Sequence, residues 1–160
     1  MATRETGPDS PGRADAQRNR QRLIEVAQRA FTAGGDGRVS LEAVAKAAGV
    51  GIGTLYRHFP TREALVEAVY LAERARLCDA AQELLAEQPP ERALRSWMDR
   101  FGDYIATKRE MADALRALIA DGTVTRSQAR SQLSAAVHLM LEAGGASGTI
   151  RQDSRAEDVV

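Results

Sequence analysis

The chain has 160 residues, of which 44% are hydrophobic and 28% charged, the balance of a globular protein and not of a disordered or fibrous one. The formal net charge is zero, so a surface for nucleic acid must come from local asymmetry, since the protein as a whole is not basic. The single cysteine, Cys78, excludes an internal disulfide and a cysteine-rich metal site.

No apolar run approaches the ~18–20 residues that a membrane span needs. Met1 to Gly12 has no apolar core of a secretory signal. The expectation is a cytoplasmic protein with no membrane partner, and the lone thiol fits that reducing compartment.

Residues 1–16 hold Gly7, Pro8, Asp9, Ser10, Pro11 and Gly12 and read as a disordered arm, because few of them can be buried. From Gln17 the pattern turns helical. Leu23, Ala27, Ala30 and Phe31 recur at helical spacing, with Arg18, Arg20, Arg22 and Arg29 between them. Gly34 and Gly35 supply a stop. Ser40 is a good N-cap for a second helix over 41–48, ended by Gly49. A short third helix is expected over Ile52 to His58, broken at Phe59-Pro60 because the residue before proline disfavours helix.

Thr61 can cap a fourth helix with Glu63 in its first turn, running to about Glu87. At ~1.5 Å per residue it is roughly 40 Å long. Pro89-Pro90 opens a fifth, whose apolar stripe carries Leu94, Trp97, Met98, Phe101, Ile105, Met111, Leu115 and Leu118. Thr107 and Glu110 form a capping-box pattern, so two helices are expected to meet near Lys108. Thr125 and Gln128 open a further helix, ended by Gly144 and Gly145. With no strand and no repeat, the fold class is all-α.

The segment Ser40 to Phe59, SLEAVAKAAGVGIGTLYRHF, has the logic of two helices crossing steeply over a short turn. Ala45 is small enough for close approach, and Gly49 suits a tight turn with positive φ. Val44, Ala48, Val50, Leu55 and Phe59 would form a small core. The outer face of Ile52 to His58 is then free for a major groove. Arg57 can give guanine O6 and N7 two hydrogen bonds, Thr54 offers a hydroxyl and a methyl, and Gly53 lets the backbone come close. Between Arg18 and Arg62 the cations are Arg18, Arg20, Arg22, Arg29, Arg38, Lys46, Arg57 and Arg62. The anions are only Glu25, Asp36 and Glu42. A local excess of this kind suits phosphates.

These residues carry a resemblance. The string GVGIGTLYRHFPTREALVEAV resembles the TetR family of transcriptional regulators, whose pattern is G-V-x-x-x-T-L-Y-x-H-F-x-x-K/R-E-x-L. It spans about Arg20 to Val69. SWMDRFGDYIATKREMADALRALI resembles the sensing domain of the SbtR-type branch. The resemblance implies an N-terminal three-helix helix-turn-helix DNA-binding domain over 17–60 and a helical ligand-sensing domain over 61–160. It implies base-facing Ile52, Gly53, Thr54 and Arg57, and phosphate-facing Ser40, Thr54, Tyr56, His58 and Arg62. The partners it implies are double-stranded operator DNA, an unidentified small-molecule effector and a second copy of the chain. The function it implies is repression relieved by the effector. Arg62 stands where lysine is frequent, which keeps the charge and changes the hydrogen-bond geometry.

Trp97, Met98, Phe101, Tyr104, Met111 and His138 are the large side chains from which a ligand pocket is expected, although each alone suits ordinary core. Arg116 fits either a polar anchor or a solvated charge. Cys78 reads as a packed small residue. Ser154 to Glu157 has a capping-box pattern that would start a new helix, so the sensing domain is expected to lack its last helices and to dimerise poorly.

Two other functions remain in view. A helical interaction module without DNA binding requires the basic flank to be incidental. An enzyme requires a constellation that the sequence lacks: no nucleophile with its base, no metal spacing, and in Gly49-x-Gly51-x-Gly53 only a fragment of a nucleotide fingerprint with no strand before it. No cofactor and no metal are expected.

Overall fold

The computed structural model describes residues 11–33 and 39–160. Among them are seven α-helices and one 3-10 turn: α1 (Pro11–Ala33), α2 (Leu41–Ala47), α3 (Ile52–His58), α4 (Arg62–Glu87), α5 (Pro90–Glu110), α6 (Ala112–Ala120), α7 (Arg126–Ser147) and the turn Ala156–Asp158. The all-α class holds. Gly34, Gly35, Asp36 and Arg38 lie outside the described residues, as does the arm up to Ser10.

α1 begins at Pro11, before the expected Gln17. Proline suits the first turn of a helix, where its missing N–H has no partner to lose. An i,i+3 pair between Asp15 and Arg18 supports the added turn. Few of the added residues are buried, so local propensity and not core packing carries the extension.

α4 is the axle of the fold. Its 26 residues touch α1, α5, α6 and α7. Thr61 caps it by accepting from the Ala64 amide at 3.1 Å. Leu65, Val66 and Val69 are fully buried, and they belong to one hydrophobic core that continues from Leu23, Phe31 and Leu55 to Trp97, Val137 and Met140. The core therefore runs unbroken past Pro60. A second tie links the two parts: the hydroxyls of Thr32 on α1 and Thr107 on α5 lie 3.2 Å apart.

Two boundaries and two caps differ from the sequence reading. The break between α5 and α6 falls at Met111, and Thr107 caps nothing: it is buried against α1. Thr125 precedes α7 without a side-chain cap. α7 does not stop at Gly144-Gly145 but runs to Ser147 and closes on Gly148, whose φ is 70°. The reason is tertiary. A Cβ on Gly144 would stand 2.3 Å from Ile150 Cδ1, so the glycine makes room for the chain to fold back across the helix. The Ser154 to Glu157 pattern becomes a 3-10 turn with Ala156 buried.

Candidate nucleic-acid interface and effector cavity

The helix-turn-helix is built from three local decisions. Ser40 starts α2: its hydroxyl accepts from the Ala43 amide at 3.3 Å and donates to Glu42 at 2.8 Å. A hydrogen bond to the Glu42 backbone, and then the Ser40 hydroxyl, hold the exposed Glu42 carboxyl below the usual carboxylate range. Gly49 makes the turn at φ 71°, a left-handed conformation that costs an L-residue with a Cβ. Gly51, extended, then opens α3, and the Phe59 amide closes it on the Leu55 carbonyl at 2.8 Å.

Burial sorts the residues of α3 by face. Leu55 and Phe59 are sealed in the core with Val44, Ala45 and Ala48, while Val50 is half-buried at its margin. The remaining face is outward. Ile52 is 38% and Tyr56 44% exposed, large apolar surface that a small helical domain would otherwise bury. Arg57 and Gly53 are exposed, and Thr54 and His58 half-exposed. No atom lies within 4 Å of the position a Gly53 Cβ would take, so the fold itself does not require glycine there.

The structure brings Ile52, Gly53, Thr54, Tyr56, Arg57 and His58 onto one short helix, with Ser40 exposed at the start of α2. Arg62 differs. Its guanidinium donates to the Val39 carbonyl at 3.1 Å and lies 5.8 Å from the centre of the Phe31 ring. It ties α4 to the segment before α2. Arg20 stacks over Phe59, 4.9 Å from the ring centre, so one cation of the basic flank is fixed beside the end of α3.

The pocket residues expected from sequence separate. Phe101 and Tyr104 line a half-open cavity of about 200 Å³ among α4, α5, α6 and α7, with Val160 also at its wall. Trp97 does not. It is fully buried, its indole N–H donating to the Leu77 carbonyl at 2.8 Å, and it stacks on Phe101 at 5.4 Å from behind. Met98 is 42% exposed on the outer face of α5. Met111 is buried at the α5–α6 break and borders a separate groove toward Val39 and Arg62. His138 is exposed on α7, 3.3 Å from Glu142, along a shallow surface groove. These four are corrected out of the cavity, because helical periodicity names a stripe but not which part of it meets a void.

Sequence reading missed Tyr70, Lys108, Arg126 and Arg130, which also border the cavity. Lys108 was legible in principle: it lies one turn beyond Tyr104 on the same face of α5. Tyr70 and the α7 arginines come from distant segments and carry no local signal. Burial, and then the Tyr70 phenol beside it, push the Tyr104 phenol well above the usual tyrosine range. Burial likewise raises the half-buried Cys78 thiol, which keeps it protonated at neutral pH, as suits a packed residue. Arg116 pairs with Asp113 in solvent, an ordinary surface charge.

A helical chain with a helix-turn-helix whose second helix packs Leu55 inward and presents Ile52, Tyr56 and Arg57 outward has the architecture of DNA-binding regulators of the helix-turn-helix class. Comparison with known proteins narrows that class. The family model for bacterial regulatory proteins of the tetR family matches residues 23–69, and the model for the SbtR-like transcriptional regulator C-terminal domain matches 89–160. A TetR transcriptional regulator from Streptomyces coelicolor is 48% identical with a TM-score of 0.77, over 87% of this chain and 79% of that one. A TetR transcription regulatory protein from Mycobacterium vanbaalenii is 39% identical with a TM-score of 0.78, over 93% and 89%. An HTH-type transcriptional regulator of Staphylococcus aureus (strain USA300) is 45% identical over 53 residues, a match that spans 33% of this chain and 29% of that relative. The chain belongs to the TetR family of transcriptional regulators.

No helix among the described residues is long and apolar enough to cross a membrane.

Proposed function

We infer that the protein is a sequence-specific DNA-binding regulator that represses transcription and leaves its operator when a small molecule occupies the cavity among α4–α7. The observation that carries the DNA-binding half is the outward face of α3. Ile52 and Tyr56 are exposed beside Arg57 while Leu55 and Phe59 hold the helix in the core. An arginine so placed suits bidentate recognition of guanine. Ile52, Gly53 and Thr54 would lie against base edges. Ser40, Tyr56 and His58 would meet phosphates, and Arg62 would join them through its hold on the segment before α2.

One α3 reads few base pairs, so the operator complex is a homodimer. Two recognition helices in successive major grooves lie roughly 34–36 Å apart, one helical turn. The site of action is the cytoplasm, on nucleoid DNA. The effector half of the reading is supported by the cavity, which touches α4, the helix whose first turn Thr61 anchors directly after the helix-turn-helix.

Salt dependence of DNA binding is the test. Affinity for a duplex should fall steeply with added salt, as counterion release by several Lys and Arg contacts requires. Absent or salt-independent binding favours the interaction module and removes this reading.

A further inference from the structure

Among the described residues, arginines stand over aromatic rings at Phe31, Tyr70 and Phe59. Arg62, over Phe31, also donates to the Val39 carbonyl, and Arg74, over Tyr70, is buried in the interior. Arg20, over Phe59, is neither bonded nor enclosed.

The sequence of α1 explains its place. Leu23, Ile24, Ala27 and Phe31 are the buried stripe of that helix, and Arg20 is the next step of the stripe toward the N-terminus. It is half-buried, at the point where the stripe leaves the core. Its guanidinium lies 4.9 Å from the centre of the Phe59 ring. Phe59 is 1% exposed, and its amide closes α3 on the Leu55 carbonyl. The cation therefore rests on a rigid seat at the end of the recognition helix.

That contact fixes the group without satisfying its donors. Among the described residues no carboxylate pairs with Arg20 and no oxygen accepts from it. The residues one turn away, Ala16, Gln17, Leu23 and Ile24, carry no charge. The nearest acids of α1 are engaged with others: Asp15 with Arg18, and Glu25 with Gln21. A guanidinium holds its N–H donors in one plane, so a ring under its face leaves the edge of that plane free to donate.

The place suits a phosphate. The His58 and Phe59 ring centres are 6.3 Å apart, so His58 and the Arg20 guanidinium gather at the same end of α3. A helix in a major groove is flanked by sugar–phosphate backbone, and contacts to that backbone fix its register. An arginine already held on a ring gives up less side-chain freedom on binding than one loose in solvent.

We propose that Arg20 donates to a DNA phosphate beside the last turn of α3, with Phe59 holding it in position. The proposal rests on the reading of the chain as a DNA-binding regulator. It adds a contact from α1, outside the two helices of the helix-turn-helix.

Fluorescence anisotropy over a range of salt concentrations tests it, with the intact protein and the duplex it selects from a random pool. R20M keeps an unbranched stem over the Phe59 ring and removes the charge. R20K keeps a charge. R116M removes a solvent-exposed charge from α6, far from α3 in the chain. R20M should lower affinity roughly tenfold, the size of a contact to a charged group, and about equally for single-base variants of the duplex. The slope of log affinity against log salt should shrink by about 0.9 for each chain bound. R20K and R116M should keep the parent slope.

An unchanged slope in R20M overturns the proposal, and so does an equal fall in R116M. A slope lost equally in R20K does the same, since it ties the effect to packing on Phe59 and not to charge. A parent protein that selects a duplex and keeps its slope in R20M retains the regulator reading and loses this contact. A parent that selects none loses both.

Discussion

At the residue scale, the recognition helix depends on a few side chains with separable tasks. Arg57 is exposed and carries no structural contact, so Arg57→Ala should leave folding stability within about 0.5 kcal/mol of the parent. It should cost about 1–3 kcal/mol of specific DNA binding and relax preference at one base pair. Both are read by denaturation and by anisotropy against a set of single-base variants. Unchanged preference would remove Arg57 from base readout. Gly49 has the opposite profile. At φ 71° an alanine should destabilise the fold by about 1–2 kcal/mol in urea denaturation, although alanine is ordinarily the better helix residue. This much was legible in sequence, because a glycine turn between two short helices and the phase of Leu55 and Phe59 are local signals. Arg62 was only half legible. Its type and place suggested a phosphate, while its bond to the Val39 carbonyl depends on how the chain returns past α4.

At the element scale, some helix starts were legible and others were not: Thr107 and Thr125 cap nothing. Ser40 and Thr61 cap α2 and α4 as their side chains suggest, since a cap is a contact between near neighbours. Ser40→Ala should cost about 0.5–2 kcal/mol in urea denaturation, and a change near zero would show that solvent replaces the cap. The end of α7 was not legible. Gly144 and Gly145 look like a stop, yet Gly144 is there to admit Ile150, a contact made only after the chain has turned. Gly144→Ala would put a Cβ 2.3 Å from Ile150 Cδ1 and 2.7 Å from its Cβ, too close for the side chain's far end alone to yield. We expect a loss of about 1–3 kcal/mol by chemical denaturation, the cost of overpacking. A stabilised variant would mean that Gly144 is a helix defect and not a seat for Ile150. The cavity was half legible for the same reason: Phe101 and Tyr104 lie on a readable stripe, whereas Tyr70, Arg126 and Arg130 arrive from other helices.

At the scale of the whole molecule, α4 joins two tasks. It follows the helix-turn-helix without a break in the core and forms one wall of the cavity. Binding energy at the cavity can shift α3 only through a difference in affinity between two arrangements of this shared core. The Thr32–Thr107 contact between α1 and α5 is a second path between the same two regions. All of this matters for function only if α3 reads DNA. The direct test is selection of bound duplexes from a random pool by the intact protein, repeated with Arg57→Ala. The account predicts enrichment of a two-fold-related sequence whose half-sites lie about one helical turn apart, with a guanine position that loses its preference in the variant. A pool that stays random, or a selected sequence indifferent to Arg57, would contradict it.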